Sequence, residues 1–238
     1  MGFFRKRRGS TQGKGPFSAR EALTAAEGAI NEKHPEDAQV ARVCCLYTAS
    51  LDSEAPIQSD GRCKAWHVDF YSPASRSLFL VRIHKGKTHV RARSWDRTGS
   101  RPVAYFFMGY GEGVTGNVLV EPIPVGEGWV DSLTLAREVD TWSRSRMSED
   151  ERTGEMYGLS CLGFPAQYLA YLHRPDLRAL FPFPDPPSEP AWFVFYSPVD
   201  LEDRDSFLLY LDAATGRITH SAVFRFPAYF NYGSSADW

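Results

Sequence analysis

The sequence predicts an α+β protein made of two similar units in tandem, each a helix followed by an antiparallel sheet. A nine-residue motif, residues 65–73, recurs about 126 positions later as residues 191–198, where it is one residue shorter. Each half also opens with a helix-start pattern before its β-like segments. The alternative is a single continuous sheet, formed when the two units pair edge to edge.

The first half is predicted to contain one helix and four strands. Ser18 and Glu21 form a capping-box pattern, small apolar residues follow at helical spacing, and Pro35 ends the helix. A tight turn at Gly86 joins the last two strands. Stretches that are apolar throughout, or that alternate between apolar and polar residues, predict strands over residues 40–48, 65–71, 78–84 and 88–95.

The second half repeats this order with an insertion. Trp129 begins a pattern that predicts a second helix, and a helical, proline-rich insertion follows over residues 146–190. Three strands are then predicted over residues 191–196, 207–211 and 217–226. The predicted organisation is a basic tail (1–17), a first unit (18–100), a connecting hairpin (101–128), a second unit (129–226) and an aromatic tail (227–238).

Composition narrows the classes of partner. The chain has 238 residues, 43% of them hydrophobic, and a net charge of −2, so we expect a substantial core and no global attraction to nucleic acid or membrane. Outside residues 5–8 we expect no basic stripe and hence no nucleic-acid partner. No apolar run approaches the roughly 20 residues of a membrane helix. No signal-peptide pattern follows the basic start, which favours a cytoplasmic location.

The helix starts and the last hairpin resemble the PepSY type, the helix-plus-sheet module of protease propeptides and related bacterial proteins. The helix starts are residues 18–23 and 131–136, and the clearest motif is the hairpin of residues 209–218. There Gly216 suits a positive φ, while Asp212 suits bonding to the local backbone. The resemblance implies PepSY-like units with a binding, inhibitory or scaffolding role and no catalytic residues.

Motifs that carry chemistry in other proteins are incomplete in this sequence. Residues 111–116 fit a glycine-rich loop, but a strand is predicted after them instead of the helix that phosphate binding needs. Cys161 and His173 have no neighbouring charges that would lower a thiol pKa. The acidic loop of residues 200–205 lacks the glycine and final glutamate of a calcium loop. We therefore predict no metal, no cofactor and no catalytic residue.

The predicted function is that of a non-catalytic binding, inhibitory or scaffolding component of a bacterial assembly, whose partner is another protein. The oligomeric state is left open. The rival prediction is an enzyme that binds a small molecule in a pocket on a curved sheet. In that case His67 and Asp69 would be its acid/base pair, because alternation places both on the solvated face of their strand.

The partner surface is predicted in the second unit. Residues 191–196 are apolar on both faces, so the second face requires a cover. The aromatic tail either folds back onto the sheet or docks into another chain, and docking is favoured. The predicted partner-binding residues are Phe193, Phe195, Tyr229, Phe230, Tyr232 and Trp238.

Overall fold

The structure, a computed structural model, describes residues 16–48, 59–94, 124–147, 160–163, 189–196 and 206–224. The described helices are α1 (Ala19–Lys33), α2 (Pro35–Ala38) and α3 (Ser132–Arg146). The described strands are β1 (Arg42–Thr48), β2 (Ala65–Ser72), β3 (Ser77–His84), β4 (Lys87–Ser94), β5 (Ser160–Gly163), β6 (Ala191–Tyr196), β7 (Ser206–Asp212) and β8 (Ile218–Phe224).

The described strands form one eight-stranded antiparallel sheet in the order β4-β3-β2-β1-β5-β6-β7-β8. The predicted α+β class is confirmed, and the sheet runs continuously through both halves because β1 pairs with β5. The two copies of the repeated motif lie on β2 and β6, and each of these strands is third from its own edge of the described sheet. The assignment to the PepSY type and the unit boundaries stay predictions.

Strand β5 lies inside the stretch that was predicted to be a helical insertion, and no strand was predicted there. Its four residues pair with β1 on one side and β6 on the other. The helices predicted elsewhere in the insertion, and residues 101–123 of the connecting hairpin, lie outside the described residues.

Two buried tryptophans make the same hydrogen bond in the two halves. The indole Nε1 of Trp66 donates to the carbonyl oxygen of Phe17 at 2.8 Å. The indole Nε1 of Trp192 donates to the carbonyl oxygen of Val130 at 3.1 Å. Each carbonyl belongs to the residue just before the N-cap of a helix, α1 in one half and α3 in the other. The bond therefore fixes the start of each helix to its own part of the sheet.

The starts of α1 and α3 contact each other. The predicted capping box is confirmed, since Ser18 Oγ accepts from the amide of Glu21 at 3.3 Å and Glu21 Oε2 accepts from the amide of Ser18 at 2.8 Å. The amide of Ala19 donates to Ser132 Oγ at 2.9 Å, and Asp131 Oδ1 accepts from the amide of Ser132 at 2.8 Å. Acidic side chains so placed offset the positive ends of both helix dipoles.

The main core lies between the helices and one face of the sheet. It joins Ala22, Ala26 and Ile30 of α1 to Leu135 and Val139 of α3 through the apolar strand residues between them. Small residues on α1 allow the helix to approach the sheet closely. The strand residues of this core include Leu46, Trp66, Val68, Phe70, Phe79, Val81, Ile83, Trp192, Val194, Leu209 and Leu211.

The turn chemistry expected at the last hairpin is confirmed. Gly216 has a φ of +73°, and Asp212 Oδ1 accepts from both the amide and the hydroxyl of Thr215, each at 2.7 Å. The equivalent turn of the first half is shorter. Its two loop residues, Lys85 and Gly86, have φ values of +51° and +74°, as a type I′ turn requires.

Candidate functional site

One lateral row of residues crosses the sheet face that points away from the helices. The backbone register aligns one residue from every strand. For the strands whose side chains the structure describes at this row, period-2 alternation puts these side chains on one face. From β4 to β8 the row is His89, Arg82, His67, Tyr47, Cys161, Phe193, Tyr210 and His220. It is basic at the β4 end and aromatic around β6 and β7.

The expectation that His67 and Asp69 lie on a solvated face is wrong. His67 is 8% exposed and Asp69 is 2% exposed. Strand β2 lies inside an eight-stranded sheet, so its side chains have neighbours on both sides. Tyr47 and Arg82 are the cross-strand neighbours of His67, and the Tyr47 and His67 rings stack with centroids 5.0 Å apart.

Burial shifts both titratable groups toward their neutral forms. Burial, followed by the charges of Arg82 and His84, lowers the pKa of His67 to about 3. Burial alone raises the pKa of Asp69 to about 8, and its Oδ1 has no hydrogen-bond partner among the described residues. At pH 7 the imidazole is therefore neutral and most of the carboxyl is protonated.

These pKa values limit what the pair can do as an acid and a base. A general base works best when its pKa lies near the operating pH. A His67 with a pKa of about 3 has too little proton affinity to remove a substrate proton efficiently near pH 7. Asp69, with a pKa of about 8, has the proton that a general acid needs but is almost fully buried.

Of the residues predicted to bind a partner, the structure describes the side chain of Phe193. It is 2% exposed and packs edge-on against the ring of Tyr210, with centroids 4.6 Å apart. Phe195 lies two positions further along β6. The four tail aromatics are outside the described residues, so their role stays a prediction. They are Tyr229, Phe230, Tyr232 and Trp238.

The expectation that the chain has no basic stripe beyond its N-terminus is wrong for the hairpin of β3 and β4. Residues 77–94 contain five lysines and arginines, two histidines and no acidic residue. On β4, Lys87, His89 and Arg91 alternate along the same face and are all exposed. The sequence shows this row as basic residues at every second position of residues 87–91. The net charge of −2 describes the whole chain and does not reveal such a local row.

The outer edge of β4 is open within the described sheet. In a hairpin with a two-residue loop, the residues beside the loop form a hydrogen-bonded pair, so alternate amides from Lys87 onward point toward β3. The amides of Val90 and Ala92 point the other way. No described strand pairs with them on that side.

The other sequence candidates do not converge in the described part of the chain. His84 and His89 flank the Gly86 turn, a spacing that could bring two metal-binding histidines together across the hairpin. His84 lies opposite Lys87 and His89 opposite Arg82, so the two do not face each other. Within those residues no three metal-binding side chains come together. None of the helices described is long and apolar enough to cross a membrane. The glycine-rich loop, His173 and the acidic loop lie outside the described ranges.

Comparison with known proteins identifies no family. No family model matches the chain, and no curated protein matches it. A solved structure with partial similarity is that of a "putative lipoprotein" from Clostridium difficile 630. Its TM-score is 0.42 at 8% sequence identity, and the match covers 85% of this chain and 92% of that one. A similarity of this degree carries no conclusion about this chain.

Proposed function

We propose that this protein is a non-catalytic component of a bacterial assembly, which binds another protein as an inhibitor or scaffold does. The observation that carries the proposal is the outer edge of β4, with which no described strand pairs. A strand held at the end of a large sheet presents unpaired amides and carbonyls to a partner, and this is a common mode of protein recognition. The proposed surface is in the first half of the chain, whereas the sequence prediction favoured the second.

The rigidity of this edge supports the proposal. All eight residues of β4 pair with β3, and Val90 packs against the main core. A partner strand would therefore meet a backbone that is already ordered, which reduces the entropy lost on binding. The unsuitable pKa of His67 argues in the same direction, because it weakens the rival acid/base function.

The test compares tagged wild-type protein with two variants of Ala92 in native cell lysate. Ala92→Pro removes the outward N–H, a change that an exposed edge strand tolerates. Ala92→Ser keeps that N–H and is the matched control. We expect wild type and Ala92→Ser to retain the same partner protein in stoichiometric amounts, and Ala92→Pro to lose it.

Retention of the same partner by Ala92→Pro would contradict the assignment of binding to the β4 edge, and the absence of any partner would contradict the proposed function. The rival enzyme is tested by incubating the protein with a metabolite extract and following the extract by mass spectrometry. Turnover that disappears in His67→Gln or Asp69→Asn would establish the enzyme instead.

A further inference from the structure

The exposed side chains of β4 have a spacing that a second strand can match. Lys87, His89 and Arg91 lie at alternate positions, about 7 Å from one to the next. No ion pair joins any of them to another described residue. These three residues alternate along the strand with residues whose amides point outward, among them Val90 and Ala92. The outer edge of β4 therefore carries both basic side chains and outward backbone hydrogen-bonding groups.

From this juxtaposition we propose that β4 accepts an acidic extended segment of a partner protein as a ninth strand, with carboxylates at alternate positions opposite Lys87, His89 and Arg91. The proposal rests on the protein-binding function proposed above and names the chemistry of the partner. An incoming strand would bond to the amides of Val90 and Ala92. The basic residues would then occupy the non-hydrogen-bonded pairs, in which opposing side chains lie closest together.

A second copy of this chain does not fit the edge. Two β4 strands paired with each other would set basic residues opposite basic residues, and like charges directly opposite are destabilising. The other end of the described sheet is β8, residues 218–224, which contains no acidic residue. Neither edge strand of the described sheet can supply the complementary carboxylates, and we assign them to a different protein.

Single-stranded nucleic acid is a poorer fit than an acidic peptide. Proteins that bind single strands combine basic groups with aromatic side chains on which the bases stack. Strand β4 contains no Phe, Tyr or Trp. What β4 does offer is a row of alternating backbone donors and acceptors, which a peptide strand can pair with in a regular ladder; phosphate oxygens can accept from the donors but cannot donate to the acceptors.

The experiment measures the binding of labelled probes to the full chain by fluorescence anisotropy. The first probe is a peptide with glutamate at alternate positions and threonine or valine between them. The second has the same composition with its glutamates contiguous, and the third is oligothymidine. We expect the alternating peptide to bind at least tenfold more tightly than the contiguous one, and to weaken as salt is raised.

Four variants test whether binding depends on the β4 edge and its charges. Ala92→Pro should abolish binding of the alternating peptide, and Ala92→Ser should leave it unchanged. Arg91→Glu should weaken it at least tenfold. This variant should regain affinity for a peptide in which only the glutamate opposite residue 91 is replaced by lysine. Lys87→Glu carries the same expectation at the other end of the row, should the first charge reversal not fold.

Several results would overturn the proposal. Equal binding of both peptides, or tighter binding of oligothymidine that Ala92→Pro does not affect, would show a general anion surface. Binding of no probe would leave the charges with the simpler role of preventing sheets from aggregating edge to edge. If a lysate partner still depended on Ala92 in that case, the proposed function would stand and only the acidic partner would be wrong.

Discussion

Replacing Asp69 with asparagine should remove a loss of folding stability that grows as the pH rises. The folded chain holds the pKa of Asp69 at about 8, against an ordinary value of 3.8. Between these two values the folded state binds a proton that the unfolded state has released, so stability falls as pH rises from 3.8 to 8. The full difference corresponds to about 6 kcal/mol, and about 4 kcal/mol of it is present at pH 7.

The pKa shift of His67 changes stability in the opposite direction, and the two shifts together determine the pH range in which the fold is most stable. Its pKa falls from 6.5 to about 3 on folding, so below pH 6.5 the unfolded state binds the extra proton and stability is lost as pH falls. Between about pH 4 and 6.5 the two effects oppose each other. Above pH 6.5 only Asp69 of this pair contributes, and wild type should lose about 2 kcal/mol between pH 6.5 and 8.

The assay is urea unfolding of the full chain at several pH values, with the free energy of unfolding taken from each curve. Asp69→Asn should be more stable than wild type, with a difference that grows by about 2 kcal/mol between pH 6.5 and 8. The control is Asp37→Asn. Hydrogen bonds from Ser75 and then Ser72 lower the pKa of Asp37, so this variant should lose stability at neutral pH and approach wild type as the pH falls through the acid range.

The outcome that refutes this reasoning is specific. If Asp69→Asn loses stability between pH 6.5 and 8 as steeply as wild type does, Asp69 does not take up a proton on folding. The burial would then not control its charge. A variant that is less stable than wild type by the same amount at every pH would lead to the same conclusion.

Two further predictions concern the contacts that fix the helices. Gly61→Ala should cost about 2–5 kcal/mol, because Gly61 has a φ of +85° and an added Cβ would lie 2.3 Å from the carbonyl oxygen of Ser132. Gly126→Ala, with a φ of +82° and nothing within 4 Å, should cost only about 1–2 kcal/mol, and equal losses in thermal unfolding would refute the steric argument. Trp192→Phe should cost about 2–4 kcal/mol in urea unfolding, since it leaves the carbonyl of Val130 without its donor. A loss below about 1 kcal/mol would show that this bond contributes little.

Local chemistry made much of the fold predictable from the sequence. The capping box at Ser18 and the Asp212 hairpin are set by residues a few positions apart, and both formed as expected. Alternation also predicted that His67 and Asp69 share one face of β2, opposite the face whose Trp66, Val68 and Phe70 join the core. Strand β5 was missed because its four residues, Ser160–Gly163, show no strand pattern of their own. Its place depends on pairing with β1 and β6, which are far from it in sequence.

The candidate site was harder to predict for a different reason. The polarity of His67 and Asp69 indicates solvent, but their burial depends on the strands that lie on either side of β2. The basic row of β4 was visible as alternation, yet whether it lies at an edge depends on the strand order of the whole sheet. Sequence therefore gives the side chains of such a site, and topology decides which of them a partner can reach.

The two halves differ where binding is proposed and agree where the fold is fixed. Trp66 and Trp192 make equivalent bonds to the residues before their helices, so this contact serves folding in both halves. The outer strands are different, since β4 carries basic residues at alternate exposed positions and β8 does not. A feature that the common fold required would be expected at both ends of the sheet. The basic row occurs at one end only, and that asymmetry is the reason to assign it to recognition.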